Sequence, residues 1–275
     1  MAVTPAILCS TGILTRDPEQ TDHKAIVEHA GRLGAAGYEL VLYEAWYGHL
    51  DEVIEDLRTS DLSFPVVHAD KSIGAALGSE DADEADEALA TLEVNCRAAT
   101  ALGAQTLVLH LWDLPAGDRL LERNLDRLPA CLDTAEAYNM TLAVEAIPGI
   151  AGTPLANIRL ALERDPRCRV TLDSEYLGFH GQLDESIAAD WLWSDSQVRH
   201  VHLKDFDGRL RDGSGRRYLL PGEGVLDLQS FLGGLVDRKY TGAITLEGRA
   251  VTGSGELDEA RLEQVAAVVK QLGGT

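Results

Sequence analysis

A strand-like run followed by a helix-like run recurs along the whole chain, and this alternation restricts the fold more than any other feature. Eight short β-rich runs occupy residues 6–11, 38–45, 64–70, 105–113, 141–148, 169–176, 199–206 and 242–248. Segments with apolar residues three and four positions apart lie between them, as in DEALATLEVNCRAATALG at 86–103. Alternating strands and helices predict an α/β fold in which helices cover a parallel sheet.

The number of these units selects the architecture. Eight strand–helix units in 275 residues favour a (β/α)8 TIM barrel, formed by a single domain that spans 1–275. An open, doubly wound sheet is the alternative, but its dinucleotide-binding form carries a GxGxxG motif after the first strand, and this chain has none there. In a barrel, chemistry belongs at the C-terminal ends of the strands, on the side that faces the lumen.

Charge and composition exclude several classes of protein. The formal net charge of −21 disfavours binding to nucleic acids or anionic membranes, and 45% hydrophobic residues indicate a globular chain. No apolar run reaches the ~18 residues of a membrane-spanning helix, and the first residues lack the basic region of a signal peptide. The four cysteines are far apart, which predicts buried, reduced thiols and a cytoplasmic protein.

Charged side chains follow the strand-like runs at positions that alternate into the lumen. Glu145, Asp173, His202 and Glu247 each lie near the C-terminal end of a run, on the face opposite its large apolar residues. Buried together, three carboxylates would repel one another, and a divalent cation would relieve both this repulsion and their desolvation. The set suits one Mn²⁺, Mg²⁺, Co²⁺ or Zn²⁺ ion. Alternatively, the four residues are separate surface or salt-bridged groups.

Five further residues are candidates for contacts with a substrate. His68, His110 and Trp112 lie on or just after the third and fourth runs, where Trp112 would form an apolar wall; packing in the lumen is the alternative for all three. Lys204 faces inward beside His202, where it would bind an oxyanion or polarise a carbonyl group. Arg209 begins the loop after the seventh run and is a candidate for binding an anionic group.

The residues around the seventh run leave other interpretations open. His200 lies one inward step deeper than His202, and we expect it to orient a ligand rather than to be one. Lys204 would alternatively form a salt bridge with Asp205 or Asp207. Segment 199–217 has a net charge of +3, which predicts either a site for a phosphate or carboxylate or a surface loop paired with acidic neighbours.

The motifs that carry these residues resemble one family. Glu145 stands in VEAIPG, Asp173 in TLDSEY and His202 in HVHLKD, and Glu247 closes the tract that begins LLPGEGVLDLQSF. Over essentially its whole length, the chain resembles the sugar phosphate isomerase/epimerase family of the xylose isomerase-like TIM barrels. The resemblance implies one divalent metal ion bound by these four residues. It also implies that Glu145 and Glu247 act as paired acid and base on opposite faces of the substrate.

Departures from the family pattern bear on the subtype. Many epimerases of the family, and its apurinic endonucleases, have a His where this chain has Tyr176, and the endonucleases also have an Asp-x-His where Arg216 and Tyr218 stand. His68 and His110, in contrast, match positions at which the endonucleases bind further zinc ions. The endonuclease pattern is therefore incomplete in this chain.

We therefore predict an enzyme of carbohydrate metabolism, a metal-dependent isomerase or epimerase that acts through an enediolate. A small sugar, keto-sugar or polyol is the expected partner, with no nucleic acid and no membrane, and homo-oligomer formation stays open. An inosose- or dehydroshikimate-type dehydratase is the alternative, because the same enediolate can eject a β-hydroxyl group. An apurinic endonuclease-like hydrolase and a non-catalytic ligand-binding barrel are more distant alternatives.

Overall fold

Eight parallel strands close into a barrel in the order in which they occur along the chain. The computed structural model describes residues 5–15, 22–113, 116–209 and 217–273. The strands are β1 (Ile7–Ser10), β2 (Gly37–Val41), β3 (Val66–His68), β4 (Thr106–Leu109), β5 (Thr141–Glu145), β6 (Arg169–Asp173), β7 (Val198–Leu203) and β8 (Ala243–Leu246). The closed ring, with β1 paired to both β2 and β8, confirms the predicted TIM barrel.

Helices follow the strands and cover the outside of the barrel. They are α1 (Gly12–Thr15), α2 (Lys24–His29), α3 (Leu50–Thr59), α4 (Ser72–Leu77), α5 (Ala82–Ala101), α6 (Leu121–Ala137), α7 (Pro154–Arg164), α8 (Ser174–Phe179), α9 (Leu183–Ala188), α10 (Asp190–Trp193), α11 (Leu228–Asp237) and α12 (Glu259–Gly273). The acidic start of α5 is a helix cap, because the Asp81 side chain accepts a hydrogen bond from the N–H of Asp83. Among the described residues, none of the helices is both long and apolar enough to cross a membrane.

The two faces of each strand differ in chemistry. Outward residues such as Leu40, Leu107 and Leu142 belong to the large core between the strands and the helices. A separate, small cluster of Leu8, Val66 and Val108 packs with Ala243. His68 and His110 follow Val66 and Val108 by two residues, and they therefore share the lumen face one step nearer the C-terminal ends. The lumen thus has an apolar floor below a polar C-terminal half.

The cysteines belong to the outer core. Cys9, Cys96, Cys131 and Cys168 are buried and free, which confirms the expectation of buried thiols. Burial raises the pKa of each thiol to about 12. They are therefore poor nucleophiles and take no part in the chemistry considered below.

Close packing of a helix against the end of β4 requires a glycine. A Cβ atom on Gly74, in α4, would lie 2.1 Å from the carbonyl oxygen of His110. Because the obstacle is backbone, it cannot rotate away, and we expect Gly74→Ala to lower the free energy of unfolding by about 1–3 kcal/mol. Gly31→Ala is the control, since its Cβ would meet no atom within 4 Å. Urea unfolding of both variants measures the effect, and equal stabilities would contradict this account of α4 packing.

Candidate active site

The C-terminal ends of the last four strands bring the predicted ligands together in the lumen. Glu145 ends β5, Asp173 ends β6, His202 lies near the end of β7 and Glu247 directly follows β8. Each of these four residues is 4% exposed or less. They share one face because each strand alternates its side chains between the lumen and the helices, as the pairing of Asp173 with His202 illustrates.

Three imidazole rings surround the Glu145 carboxylate. Its Oε2 lies 2.7 Å from Nε2 of His110 and 3.2 Å from Nε2 of His68, and its Oε1 lies 3.0 Å from Nδ1 of His202. Burial alone would raise the pKa of Glu145, but the positive charges of His202 and His110 hold it well below its usual range. Asp113 anchors the other side of His110, with 2.6 Å between Oδ2 and Nδ1. Glu145 is thus a fixed, ionised group.

The Lys204 ammonium group lies between two carboxylates on the other side of the site. Its Nζ contacts Asp173 and Glu247, and it lies 3.7 Å from Oε2 of Glu175. It also lies 4.8 Å from the centre of the Tyr176 ring, an arrangement typical of a cation–π contact. The alternative salt bridge to Asp205 or Asp207 is therefore wrong. The strand alternation that buries Asp173 and Glu247 in the lumen also turns Lys204 inward.

Negative charge remains in excess around Asp173. Burial and repulsion by Glu145 and Glu247 raise the pKa of Asp173 to about 7, although Lys204 acts in the opposite direction. One Asp173 oxygen caps α8 by accepting the N–H of Tyr176, at 3.0 Å, and the other is the one that faces Lys204. A single ammonium ion therefore does not balance the carboxylates that meet here.

The strongest contact that sequence reasoning missed comes from β2. Glu39 is 1% exposed, and its oxygens lie 2.9 and 3.0 Å from Nε2 of His202 and 2.7 Å from Nε2 of His200. The signal was present in the sequence, because Glu39 is a charged residue inside an otherwise apolar strand. His200 lies deeper than His202, and its Nε2 faces Glu39 and the Thr245 hydroxyl group rather than Glu145 or Asp173.

The other predicted substrate contacts have different positions. The Trp112 side chain is fully buried in the main core, and its Nε1 donates a hydrogen bond to the carbonyl of Pro148 at 3.4 Å. Arg209 is exposed, and its backbone N–H donates to Asp207. The structure brings neither side chain into the cluster around Glu145, so their contact with a substrate stays a prediction.

The described basic residues of segment 199–217 lie towards both ends of the barrel. Arg199 lies at the start of β7, away from the strand ends that carry the cluster. Arg217 lies 3.5 Å from Oδ2 of Asp207, which agrees with pairing to acidic neighbours. Residues 210–216, with Arg211 and Arg216, lie outside the described residues. Arg199 therefore does not belong to the predicted anion site with a charge of +3, because it lies at the opposite end of β7 from the cluster.

The donor atoms fit a divalent cation. Ligand atoms of Glu145, Asp173 and His202 all lie within 4.8 Å of one another, and carboxylate oxygen with imidazole nitrogen suits Mg²⁺, Mn²⁺, Co²⁺ or Zn²⁺. Glu247 connects to this group through Lys204, which it shares with Asp173. A cation bound by Asp173 and Glu247 together would take the place of the Lys204 ammonium group. Elsewhere in the described part of the chain, His68 and His110 form a similar group with Glu145.

A buried carboxylate shapes the loop that follows Glu145. Asp118 accepts hydrogen bonds from the N–H groups of Ile150, Ala151 and Gly152, at 2.5, 2.8 and 2.6 Å, and from Nδ2 of Asn157 at 2.9 Å. Burial opposes ionisation, but these bonds lower the pKa of Asp118 to about 2. The loop from β5 to α7 is therefore held by a charged anchor beside the cluster.

Sequence comparison gives one family. A family model described as "Xylose isomerase-like TIM barrel" matches residues 27–272. No curated protein sequence matches the chain significantly.

Solved structures with the same architecture include several epimerases. A D-allulose 3-epimerase from Methylomonas sp., in complex with D-allulose, is 16% identical with a TM-score of 0.74, over 99% of this chain and 97% of that one. A 3-keto-D-glucoside 4-epimerase from E. coli is 16% identical with a TM-score of 0.70, over 99% and 100% of the two chains. An IolI protein with a bound zinc atom is 16% identical with a TM-score of 0.68, over 98% and 96%. Identities this low show a shared fold.

The Asp118 anchor predicts a pH-dependent loss of stability. Folding lowers the pKa of Asp118. Its contribution to the free energy of unfolding is therefore present above about pH 4 and is lost as the pH falls towards about 2. Asp118→Asn should lower the free energy of unfolding by about 1–3 kcal/mol near neutral pH, and by less near pH 3. Urea unfolding at both pH values measures this, with the exposed Asp51→Asn as control. A loss that is independent of pH would contradict the prediction.

Proposed function

The chain belongs to the xylose isomerase-like TIM barrel family, and on that premise we propose that it is a divalent-metal-dependent isomerase or epimerase of a small sugar, keto-sugar or polyol. The observation that carries this proposal is the meeting of Glu145, Asp173 and His202 at neighbouring strand ends, with Glu247 beside them. This places two glutamates next to a site that fits a cation, which is what proton transfer beside a carbonyl group requires.

We assign Glu145, Asp173, His202 and Glu247 as the residues that hold the metal ion. When bound, a divalent cation supplies Lewis-acid polarisation of a carbonyl and an adjacent hydroxyl group. A cation held by Asp173 and Glu247 together would lie where the Lys204 ammonium group now contacts both carboxylates, so Lys204 would move from that position. In that case its ammonium group would be available to an oxyanion of the substrate.

Glu145 and Glu247 have the proton-transfer roles in this proposal. One glutamate removes the proton from the carbon beside the carbonyl group, and the other, or the same one, returns a proton to the resulting enediolate. Glu145 is held by His68, His110 and His202, so its carboxylate has a fixed orientation. Glu247 contacts Lys204 instead. The two glutamates thus differ in their surroundings although their type is the same.

Charge favours a neutral substrate. The chain carries a net charge of −21, and the site itself has more carboxylates than cations, so a phosphorylated sugar would approach against repulsion. The Methylomonas enzyme of the same fold was solved with D-allulose, a neutral ketohexose. We therefore infer a neutral sugar or polyol, with His68 and His110 as candidate contacts.

The domain organisation and the cellular compartment form a further part of the proposal. We propose that residues 1–275 form a single cytoplasmic domain that requires neither nucleic acid nor a membrane. The four free, buried thiols support a reducing compartment, and the closure of β1 on β8 supports one folding unit.

Proton exchange tests the proposed reaction. The metal-loaded protein, incubated in D₂O with D-allulose, D-tagatose, D-fructose and an inosose, should exchange a carbon-bound proton of at least one of them, as followed by NMR. Glu145→Gln and Glu247→Gln should each slow this exchange by about 100-fold or more. Glu55→Gln, a surface variant on α3, should leave it unchanged. Normal exchange in both site variants would overturn the assignment, and products lighter by one water would identify a dehydratase instead.

One observation favours a second candidate, an apurinic endonuclease-like hydrolase. His68, His110 and Glu145 offer ligand atoms within 4.8 Å of one another, which is enough for a further cation. The net charge of −21 opposes the binding of DNA. We expect no nicking of a duplex that contains an abasic site, even with excess Zn²⁺. Nicking that requires His68 and His110 would establish the hydrolase in place of the isomerase.

A further inference from the structure

Glu39 is a buried carboxylate that the proposed reaction does not use. It lies on β2, across the lumen from β7, and its side chain is 1% exposed. A carboxylate in such a place is unfavourable unless it has partners. Its partners are the imidazole rings of His200 and His202, and His202 is one of the residues that we assign to the metal ion.

The two ring nitrogens of His202 face different carboxylates. Nε2 lies 2.9 and 3.0 Å from the two oxygens of Glu39, whereas Nδ1 lies 3.0 Å from Oε1 of Glu145 and 3.9 Å from Oδ2 of Asp173. Nδ1 therefore points into the donor group that fits a cation, and Nε2 points away from it. The ring has one side directed to the site and one side directed to Glu39.

Glu39 is held in place by His200, which lies deeper in the lumen than His202. His200 Nε2 lies 2.7 Å from Oε2 of Glu39 and 3.0 Å from Oγ1 of Thr245, and the His200 ring is fully buried. His68 stacks on the ring of His202 with 5.8 Å between centroids and an angle of 16° between the planes. The carboxylate thus has a fixed position, and the ring that it contacts has a fixed plane.

We propose that Glu39 is a positioning residue that accepts the Nε2–H of His202 and thereby leaves Nδ1 available to the metal ion. This inference rests on the proposed function, because it concerns the same site. An imidazole that binds a cation through one nitrogen carries a proton on the other, and an acceptor for that proton fixes both the tautomer and the direction of the ring. Glu39 contacts neither Glu145 nor Asp173 and acts only through His202.

A competing role for Glu39 is that of a ligand. Glu39, His200 and His202 also place ligand atoms within 4.8 Å of one another, so a cation could bind there, through Nε2 of His202. The two roles differ in which nitrogen of His202 binds the cation. They are therefore distinguished by the state of that ring and not by affinity alone.

Titration of the metal-stripped protein with Zn²⁺, followed by calorimetry, gives the first test. Glu39→Gln should weaken Zn²⁺ binding by about 10–100-fold, because a neutral amide is a weaker acceptor than a carboxylate and its NH2 group would replace one of the two oxygens that face Nε2 of His202. Asp165→Asn is the matched control, since Asp165 is a buried carboxylate that pairs with Arg167 in the turn between α7 and β6, at the opposite end of β6 from Asp173. It should change Zn²⁺ affinity less than twofold. A folded Glu39→Gln protein with unchanged affinity would overturn the inference.

Nitrogen NMR of the histidine rings gives the second test and identifies the ligand atom. The Zn²⁺-loaded wild-type protein should show His202 with a proton on Nε2 and zinc on Nδ1. Zinc on Nε2 would overturn the inference in favour of the Glu39 ligand site. If Glu39→Gln does not fold, His200→Asn serves instead, since it removes one partner of Glu39 and should weaken Zn²⁺ binding several-fold. Unchanged affinity in that variant would likewise count against the inference.

Failure of the inference and failure of the proposed function give different results. A wild-type protein that binds neither Zn²⁺ nor Mn²⁺ in calorimetry would remove the proposed function and this inference together. A wild-type protein that binds Zn²⁺ and whose Glu39→Gln variant binds it equally well would remove only the role of Glu39.

Discussion

Negative charge buried inside the barrel is the constraint on which the rest of the site depends. The four acidic residues there are each 4% exposed or less: Glu39, Glu145, Asp173 and Glu247. Each would be strongly unfavourable alone, because burial removes the water that stabilises a carboxylate. The structure surrounds them with imidazole rings on one side and the Lys204 ammonium group on the other. Every charged residue of the site is therefore placed by its partners as well as by its strand.

The barrel separates an apolar half from a polar half within one lumen, and the buried charges lie in the polar half. The floor is apolar, with Leu8, Val66 and Val108 packed together, and it seals the N-terminal half. The polar half begins two residues later on the same strand faces, as Val66 and His68 show on β3. Because side chains alternate between the two faces along β3, one register places both the apolar floor and His68.

The buried carboxylates are neutralised to different degrees by their neighbours, and the less neutralised side of the site favours a bound cation. On the β5 side, Glu145 has His68, His110 and His202 around it, and its pKa falls well below the usual range. On the β6 side, the pKa of Asp173 rises to about 7 in spite of Lys204. A cation that approaches Asp173 would meet unbalanced negative charge there. The same imbalance accounts for the position of Lys204 between Asp173 and Glu247.

The sequence by itself determined the barrel, the family and the lumen face that carries Glu145, Asp173, His202 and Glu247. Strand alternation has a period of two residues, so a local run of letters is enough to assign a side chain to a face. Only the tertiary structure decided which of these groups meet across the barrel. The pairing of Lys204 with Asp173 and Glu247, and the contact of Glu39 with His200 and His202, join residues far apart in the chain. Such contacts depend on which side chains of distant strands meet across the lumen, and a local pattern assigns a side chain to a face without specifying its partner.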